Sequence, residues 1–300
     1  MAVKLETELY PPVKSFFASR GYEVKAEIRG CDLVAYRPED EGEPVATIVE
    51  MKKTFTLPLL LQGIDRQKTG AAVWLAVERN RVKKGAHNQR FNEITQLCRR
   101  LNLGFMTVTF YRTKSPVVDV WCEPAEIRSF SPSPVSASFS LATGAAGAAE
   151  TTEAYGLPTG RRNKVKAGKL LKEFNARSGD YNVGGSTKRK LVTAYRERAI
   201  QCALALICHG PSAPRQIRDW TNCPNAGAML RENYYGWFRR ISKGVYELTP
   251  TGEAALREYE HVVRVWARQY PWANDYAGSS PEAHPEGKEL PADERRAVSD

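Results

Sequence analysis

The chain has 300 residues, of which 42% are hydrophobic and 26% are charged, values typical of a soluble globular protein with one large domain or two smaller ones. Its formal net charge of +10 favours a polyanionic partner. No apolar run approaches the roughly 20 residues that a membrane span needs, and the N-terminus lacks a signal-peptide core, so we expect a cytoplasmic protein without a membrane partner. Six scattered cysteines and four histidines without ligand spacing argue against a disulfide framework, a zinc site and histidine-based acyl transfer.

The first predicted element is a helix over residues 5–20, whose apolar side chains share one face with Glu6. Pro11 and Pro12 interrupt this pattern, because a proline inside a helix costs about 3 kcal/mol. Either the helix begins at the prolines, which are favoured in a first turn, or it is kinked there. In the first case Glu6 lies on the segment that leads into the helix, and the direction of its side chain stays open.

A strand over residues 21–28 is followed by two apolar strands, GCDLVAYR and ATIVEMKK, joined by an acidic hairpin. Asp32 lies near the start of the first, and Glu50 and Lys52 share one face at the end of the second. Two carboxylates from adjacent strands suit Mg²⁺, and a neighbouring lysine could stabilise charge on a reacting phosphate. An ordinary salt bridge at a sheet edge is the alternative, although Asp32 and the acid-bearing helix favour the site.

The remaining elements of the first half alternate between helices and strands. We predict helices over 57–68 and 89–102 and strands over 71–77, 104–110 and 117–121. Helix-linked strands pair in parallel and hairpin-linked strands in antiparallel fashion, so residues 1–128 should form one α/β domain (α+β, with a mixed sheet). Residues 129–160 are small, polar and rich in proline and glycine, which predicts a flexible linker.

A basic segment opens the second half, with ten Lys and Arg residues against two acids between positions 161 and 190. Within it the predicted nucleic-acid contacts are Arg161, Arg162, Lys164, Lys166, Lys188, Arg189 and Lys190. The turn NVGGST at 182–187 offers backbone N–H groups that could cradle a phosphate. A solvated basic helix explains the same composition equally well.

Three helices, over 191–208, 213–220 and 226–233, then precede a β-hairpin that turns at Lys243 and Gly244. This order is typical of a winged helix-turn-helix domain, which would extend with the basic segment over 161–273. Its predicted DNA contacts are Arg231, Asn233, Arg239, Arg240 and Lys243. Winged helices also bind proteins, and only the positive charge favours DNA here. Residues 274–300 have the composition of a disordered tail.

Residues 5–77 resemble the core of the PD-(D/E)XK nuclease superfamily, the restriction-endonuclease-like fold with the order αβββαβ. Its signature, an Asp near the second strand and a Glu/Asp-x-Lys on the third, is matched by Asp32 and by Glu50, Met51 and Lys52. The whole chain resembles a bacterial family of unknown function described as PD-(D/E)XK-type phosphodiesterases. The matching stretches are ETELYPPVK, GCDLVA, RRNK, NVGGST, LVTAYR and NYYGWF.

This resemblance implies metal-dependent hydrolysis of phosphodiester bonds, most naturally those of DNA. It gives roles to six residues: Glu6, Asp32, Glu50, Met51, Lys52 and Gln62. Asp32, Glu50 and the Met51 carbonyl would hold Mg²⁺ or Mn²⁺, and Glu6 would assist. Lys52 would orient the attacking water or stabilise the transition state, and Gln62 would position the site or the substrate backbone. Arg66, Lys68 and the 79–90 loop could flank the cleft.

Two other functions stay open. The chain could be a non-catalytic DNA-binding regulator whose nuclease-like domain is a scaffold. It could also bind a protein through its winged helix and act on RNA or a small phosphodiester. A homodimer is favoured if both strands of a duplex are cut, since each chain has one candidate site.

Overall fold

The computed structural model describes residues 3–37, 45–80, 90–125, 163–186 and 190–273. The predicted linker and tail lie outside the described residues, as do Arg161, Arg162, Lys188 and Arg189. The chain divides into two compact units, Met1–Ala194 and Tyr195–Asp300.

A six-stranded mixed sheet forms the centre of the first unit, and its strands lie side by side in chain order. Their bounds are β1 (Glu23–Ile28), β2 (Cys31–Tyr36), β3 (Thr47–Lys52), β4 (Ala72–Glu78), β5 (Gly104–Thr109) and β6 (Val117–Cys122). The pairs β3–β4 and β4–β5 are parallel and the other three are antiparallel. The strands of each parallel pair are separated by a helix in the sequence. A crossover connection is needed because the second strand must begin at the same end of the sheet as the first. The predicted mixed α/β architecture is confirmed.

Helices cover both faces of this sheet. They are α1 (Tyr10–Ala18), α2 (Leu57–Gln67), α3 (Phe91–Arg100) and α4 (Lys164–Ala176). Buried residues of α1 pack on one face, and those of α2, α3 and α4 pack on the other. The two faces of β3 divide as strand alternation requires, with Ile48 in the core beneath α2 and Val49 and Met51 in the core beneath α1.

The start of the chain follows the first of the two predicted alternatives. A short 3₁₀ turn (Glu6–Leu9) leads into α1, and both prolines stand in the first turn of that helix. Their missing N–H groups cost nothing there, because the first turn of a helix has no acceptors for them. Glu6 therefore lies on the leading turn rather than on the apolar face of α1.

The described part of the predicted basic segment packs into the first unit. Lys25 of β1 is buried, and its Nζ donates to the carbonyls of Phe174 (2.9 Å) and Arg177 (2.8 Å). Buried Arg177 in turn donates to the carbonyls of Ala26 (3.0 Å) and Glu27 (2.9 Å). Buried cations need such partners to offset lost hydration. The composition of this segment predicted that it belongs with the second domain, because these long-range contacts leave no trace in local composition.

The second unit consists of short helices and one hairpin. Its elements are α5 (Ala194–His209), α6 (Pro214–Thr221), α7 (Ala226–Glu232), β7 (Phe238–Ser242), β8 (Val245–Leu248), α8 (Pro250–Glu258), α9 (Glu260–Gln269) and a 3₁₀ turn (Pro271–Ala273). The strands β7 and β8 pair in antiparallel fashion. Within the described ranges, no helix has the length and apolar content to cross a bilayer.

Candidate active site

The register of the sheet brings two acidic side chains face to face. Strands β2 and β3 pair Leu33 with Val49, and continuing this antiparallel ladder by one residue puts Asp32 opposite Glu50. Directly opposed residues share a face, with their Cβ atoms about 4.5–5.5 Å apart. Asp32 Oδ2 also accepts a hydrogen bond from the backbone N–H of Met51 at 2.8 Å, which fixes its side chain across the end of β3.

Both carboxylates lie in surroundings that disfavour their charge. Glu50 is only 1% exposed, and burial, with a further contribution from Asp32, raises its pKa to about 7 against the opposing effect of Arg66. Burial also raises the pKa of Asp32, while the Met51 N–H and the Lys52 ammonium act in the other direction. Arg66 offsets only part of this effect, and a divalent cation would offset the rest.

The donor chemistry fits such a cation. Mg²⁺ is held in many proteins by one or two carboxylates together with water and substrate oxygens. In the described ranges, no three His, Cys, Asp or Glu side chains are grouped as ligands of one ion. A metal bound here would thus rely on the Asp32–Glu50 pair.

Lys52 lies on the same face as Glu50 but forms its ion pair with Glu6. The Lys52 Nζ and the Glu6 Oε2 are 2.9 Å apart, and both side chains are about one-third exposed. Burial lowers the Lys52 pKa, but the Glu6 carboxylate and the other two acids outweigh it, and the pKa is raised overall. The structure places Glu6 at the site through its leading turn, as a partner of the lysine.

Arg66 on α2 is a part of the site that the sequence analysis expected only at its flank. Its Nε donates to Glu50 Oε1 at 2.5 Å, and its guanidinium also bonds the carbonyl of Gly30. Gln62, the residue predicted on this helix, is exposed one turn earlier. Arg66 follows Gln62 by four residues, and residues four apart are neighbours on a helix surface. This spacing was the signal in the sequence that could have placed Arg66 at the site.

A segment from the C-terminal half of the chain packs against the acidic site. We call residues 180–186 the closing segment. Asp180 anchors its beginning, accepting hydrogen bonds from the backbone N–H of Ala26 at 2.7 Å and from the side chains of Tyr10 and Lys14. Further along, a Cβ atom added to Gly184 would clash with the backbone carbonyl oxygen of Asp32 and lie 2.7 Å from Met51 Cε. Only glycine permits this approach.

Glu27 connects the closing segment to the strands that carry Asp32 and Glu50. The ladder pairs Ala26 with Leu33 and Ile28 with Cys31, so Glu27 lies across from Asp32. Burial raises its pKa, and the N–H groups of the closing segment oppose this rise. Ser186 donates its backbone N–H to Glu27 Oε1 at 3.0 Å.

The predicted phosphate-cradling turn NVGGST therefore uses this N–H group to bind an internal carboxylate. Glu27 itself has a φ of 53°, in the left-handed region that non-glycine residues seldom adopt. Strand alternation alone gave no reason to group it with Asp32.

Among the predicted nucleic-acid contacts that are described, most are exposed cations: Lys164, Lys166, Lys190, Arg231, Arg239, Arg240 and Lys243. Arg239 pairs with Glu247, and Arg240 Nε donates to the carbonyl of Ser242 at 3.0 Å. Asn233 requires a correction. Its amide bonds the backbone of Phe238 through both its oxygen (3.0 Å) and its nitrogen (2.6 Å), so it stabilises the turn before β7 and is not placed to read a base.

One family model matches the chain, over residues 142–255, and its description reads "Putative PD-(D/E)XK phosphodiesterase (DUF2161)". This match confirms the resemblance to the PD-(D/E)XK superfamily. The searches of curated proteins and of solved structures gave no significant match. The matched residues include the closing segment but not Asp32, Glu50 or Lys52. Within the first unit the structure thus brings a part of the matched segment against the acids of the N-terminal half.

Proposed function

We propose that the chain is a metal-dependent phosphodiesterase that hydrolyses DNA. The observation that supports this most strongly is the opposition of Asp32 and Glu50 at the end of β3, with a charged lysine two residues further on the same face. Placing the buried Glu50 beside the half-buried Asp32 opposes folding unless something compensates. A bound cation would compensate the two carboxylates and explain why they are brought together. An ordinary surface ion pair would need neither the second carboxylate nor the burial.

In this proposal Asp32 and Glu50 would hold Mg²⁺ or Mn²⁺ together with the Met51 carbonyl, while Glu6, predicted as a further ligand, is the partner of Lys52. When bound, the ion would polarise the scissile phosphate and lower the pKa of a water molecule. Lys52 remains protonated at neutral pH, since its pKa is raised overall, and its ammonium stabilises negative charge that develops on the phosphate. Glu6 holds Lys52 in place through their 2.9 Å ion pair until substrate arrives. Gln62, exposed on α2, contacts the substrate backbone.

Nucleic acid is the proposed substrate because the chain carries a net charge of +10 although its site is acidic. Exposed cations on α4 and in the second unit would contact phosphates and make binding dependent on salt. The helices and hairpin of the second unit would act as a winged-helix module that directs the first unit to DNA. A homodimer would allow one site per chain to cut both strands.

The test is cleavage of plasmid, linear and single-stranded DNA with Mg²⁺, Mn²⁺ or EDTA, with Lys52→Ala beside the wild-type protein. We expect metal-dependent cutting that falls about 100-fold or more in the variant, as for other groups that stabilise transition-state charge. Lys53→Ala is the matched control, because the next lysine along lies outside the Asp32–Glu50–Lys52 face. Cutting that survives Asp32→Ala, Glu50→Ala and Lys52→Ala would contradict the proposal.

A non-catalytic DNA-binding regulator is the second candidate. It is favoured by one observation: Glu50 is already paired with Arg66, and Lys52 with Glu6, so these charges are balanced within the chain. In that case the wild-type protein would bind DNA in a salt-sensitive manner, and calorimetry would detect no heat of Mg²⁺ or Mn²⁺ binding. A strong preference for RNA or for a small phosphodiester would point to the third function considered from the sequence.

A further inference from the structure

A groove of about 560 Å³ lies beside the acidic site within the first unit. The turn between β1 and β2, the helix α2 and the beginning of α4 form its walls. Two of its lining residues connect it directly to the site: Cys31 precedes Asp32 on β2, and Arg66 bonds Glu50. A ligand that fills the groove would therefore reach the edge of the carboxylate pair.

The groove carries an excess of positive charge. Its charged lining consists of Arg29, Arg66, Lys166 and Lys169 against the single acid Asp65. The charge of Asp65 is already compensated, because its carboxylate oxygens lie 2.7 Å from the Nζ of Lys68 and 3.9 Å from that of Lys166. Arg29 and Lys169, in contrast, have no ion-pair partner within the described ranges.

Arg29 occupies a backbone conformation that does not favour arginine. With Gly30 it forms the two-residue turn between β1 and β2, at φ values of 50° and 78°. Turns of this kind prefer Asn, Asp or Gly at both positions, because a left-handed conformation costs other residues about 1–2 kcal/mol. A strained residue at the rim of a charged groove suggests that its side chain has a function there.

The cations of α4 are held at fixed positions relative to the site. Leu170 and Phe174 anchor the helix in the core of the sheet. The backbone N–H of Asn163 donates to the carbonyl of Lys68 at 2.8 Å, which attaches the beginning of α4 to the end of α2. Lys166 and Lys169 thus border the groove on a rigid element.

We propose that this groove binds the phosphodiester backbone of the substrate next to the bond that is cut, with Arg29, Lys166 and Lys169 contacting phosphates. The inference rests on the proposed function and specifies how the same site takes its substrate. A guanidinium binds two phosphate oxygens at once, whereas an ammonium acts as a point charge. Arg29 therefore orients the nucleic-acid strand, and the two lysines attract it. Because Arg29, Lys166 and Lys169 are exposed, the groove is open to solvent, and an elongated polyanion such as a DNA strand can lie along it.

The test is binding of a fluorescent DNA oligonucleotide in EDTA, so that nothing is cut, over a series of salt concentrations. Each lost phosphate contact should reduce the slope of log K against log salt by about one. We expect this reduction in Arg29→Asn and in Lys169→Gln. Lys172→Gln is the matched control on the same helix, since Lys172 is exposed but does not line the groove, and its slope should equal that of the wild type.

Folding does not confound Arg29→Asn, because asparagine is favoured at this turn position. Unchanged slopes in both groove variants would overturn the proposal. So would displacement of the oligonucleotide by inorganic phosphate at an equal concentration of phosphate groups, since the groove would then bind a small phosphate.

Cleavage assays separate this proposal from the proposed function. Reduced slopes without any metal-dependent cutting by the wild type would support the groove and contradict the nuclease. Metal-dependent cutting that requires Lys52, together with unchanged slopes, would do the reverse.

Discussion

Buried charged residues are concentrated in the first compact unit, whereas Glu197 is the one such residue among the described residues of the second. In the first unit Glu50, Lys25 and Arg177 are buried. Glu50 is bonded to Arg66 on the next helix, and the two cations are bonded to carbonyls 149 and 151 positions away in the sequence. In the second unit the cations of the β7–β8 hairpin, such as Arg240 and Lys243, are exposed. A buried charge destabilises the fold unless its partners are in place, whereas an exposed one costs little. A buried charged residue is therefore stronger evidence for a specific role than an exposed one.

Gly184→Ala should have the broadest effect, on both stability and cleavage, because it disturbs the buried region without changing any charge. The added methyl group would overlap the carbonyl oxygen of Asp32 and approach Tyr10 Cδ2 to 2.8 Å. Overpacking of this kind costs about 1–3 kcal/mol of stability. Since the clash is with the backbone of Asp32, metal-dependent cleavage should fall as well. Thermal unfolding and the plasmid assay measure the two effects.

Gly168→Ala is the control for this substitution. Gly168 lies within α4, and a Cβ atom there would meet nothing within 4 Å outside its own stretch of the helix. Alanine is favoured over glycine in a helix interior by about 1 kcal/mol, so this variant should be slightly more stable than the wild type. A Gly184→Ala protein that unfolds and cuts like the wild type would show that the closing segment does not shape the site.

Most of the first unit's sheet could be predicted from local patterns. Alternation placed Glu50 and Lys52 on one face of β3, and the helices between later strands implied the parallel pairs. Both inferences depend on periodicity along a single element, which is the strongest signal that a sequence contains. The hairpin between β2 and β3 predicted that these strands are antiparallel neighbours, but the register that puts Asp32 directly opposite Glu50 is seen only in the structure.

The parts that the sequence did not reveal depend on contacts between distant segments. The packing of Gly184 against Asp32 joins residues more than a hundred positions apart, and so does the bond between Ser186 and Glu27. Arg66 was expected only as a flanking cation, because nothing in its own helix shows that its guanidinium reaches Glu50. Local composition likewise assigned α4 to the second domain. The exposed lysines of this helix outnumber its two buried residues, Leu170 and Phe174, which pack it against the sheet.

Stability should depend on pH through Glu50, an effect of intermediate size. Its pKa rises from an ordinary 4.5 to about 7, so the folded protein retains a proton that the unfolded chain has lost. In EDTA, stability should therefore fall as pH rises from about 4.5 to about 7, by up to about 3 kcal/mol. Burial raises the pKa of Asp32 as well, which adds in the same direction. Chemical denaturation across this range measures the slope.

Glu50→Gln is the variant that isolates this effect. It removes the titrating group, so its stability should vary less with pH than that of the wild type over the same range. Above pH 7, Mg²⁺ or Mn²⁺ should restore stability to the wild type and have little effect on the variant, since a cation that binds only the folded state stabilises it. Parallel pH profiles for the two proteins would exclude Glu50 as the source.

The smallest effect is expected in the second unit, where charge is exposed. Lys243→Gln at the tip of the hairpin should reduce the salt slope of DNA binding by about one, with no change in cleavage rate at saturating DNA. Arg257→Gln is the control, because this arginine is also exposed but lies on α8 and not on the hairpin. Equal slopes for both variants and the wild type would mean that the hairpin does not contact DNA. The second unit would then be better explained as a protein-binding module, and substrate binding would depend on the first unit alone.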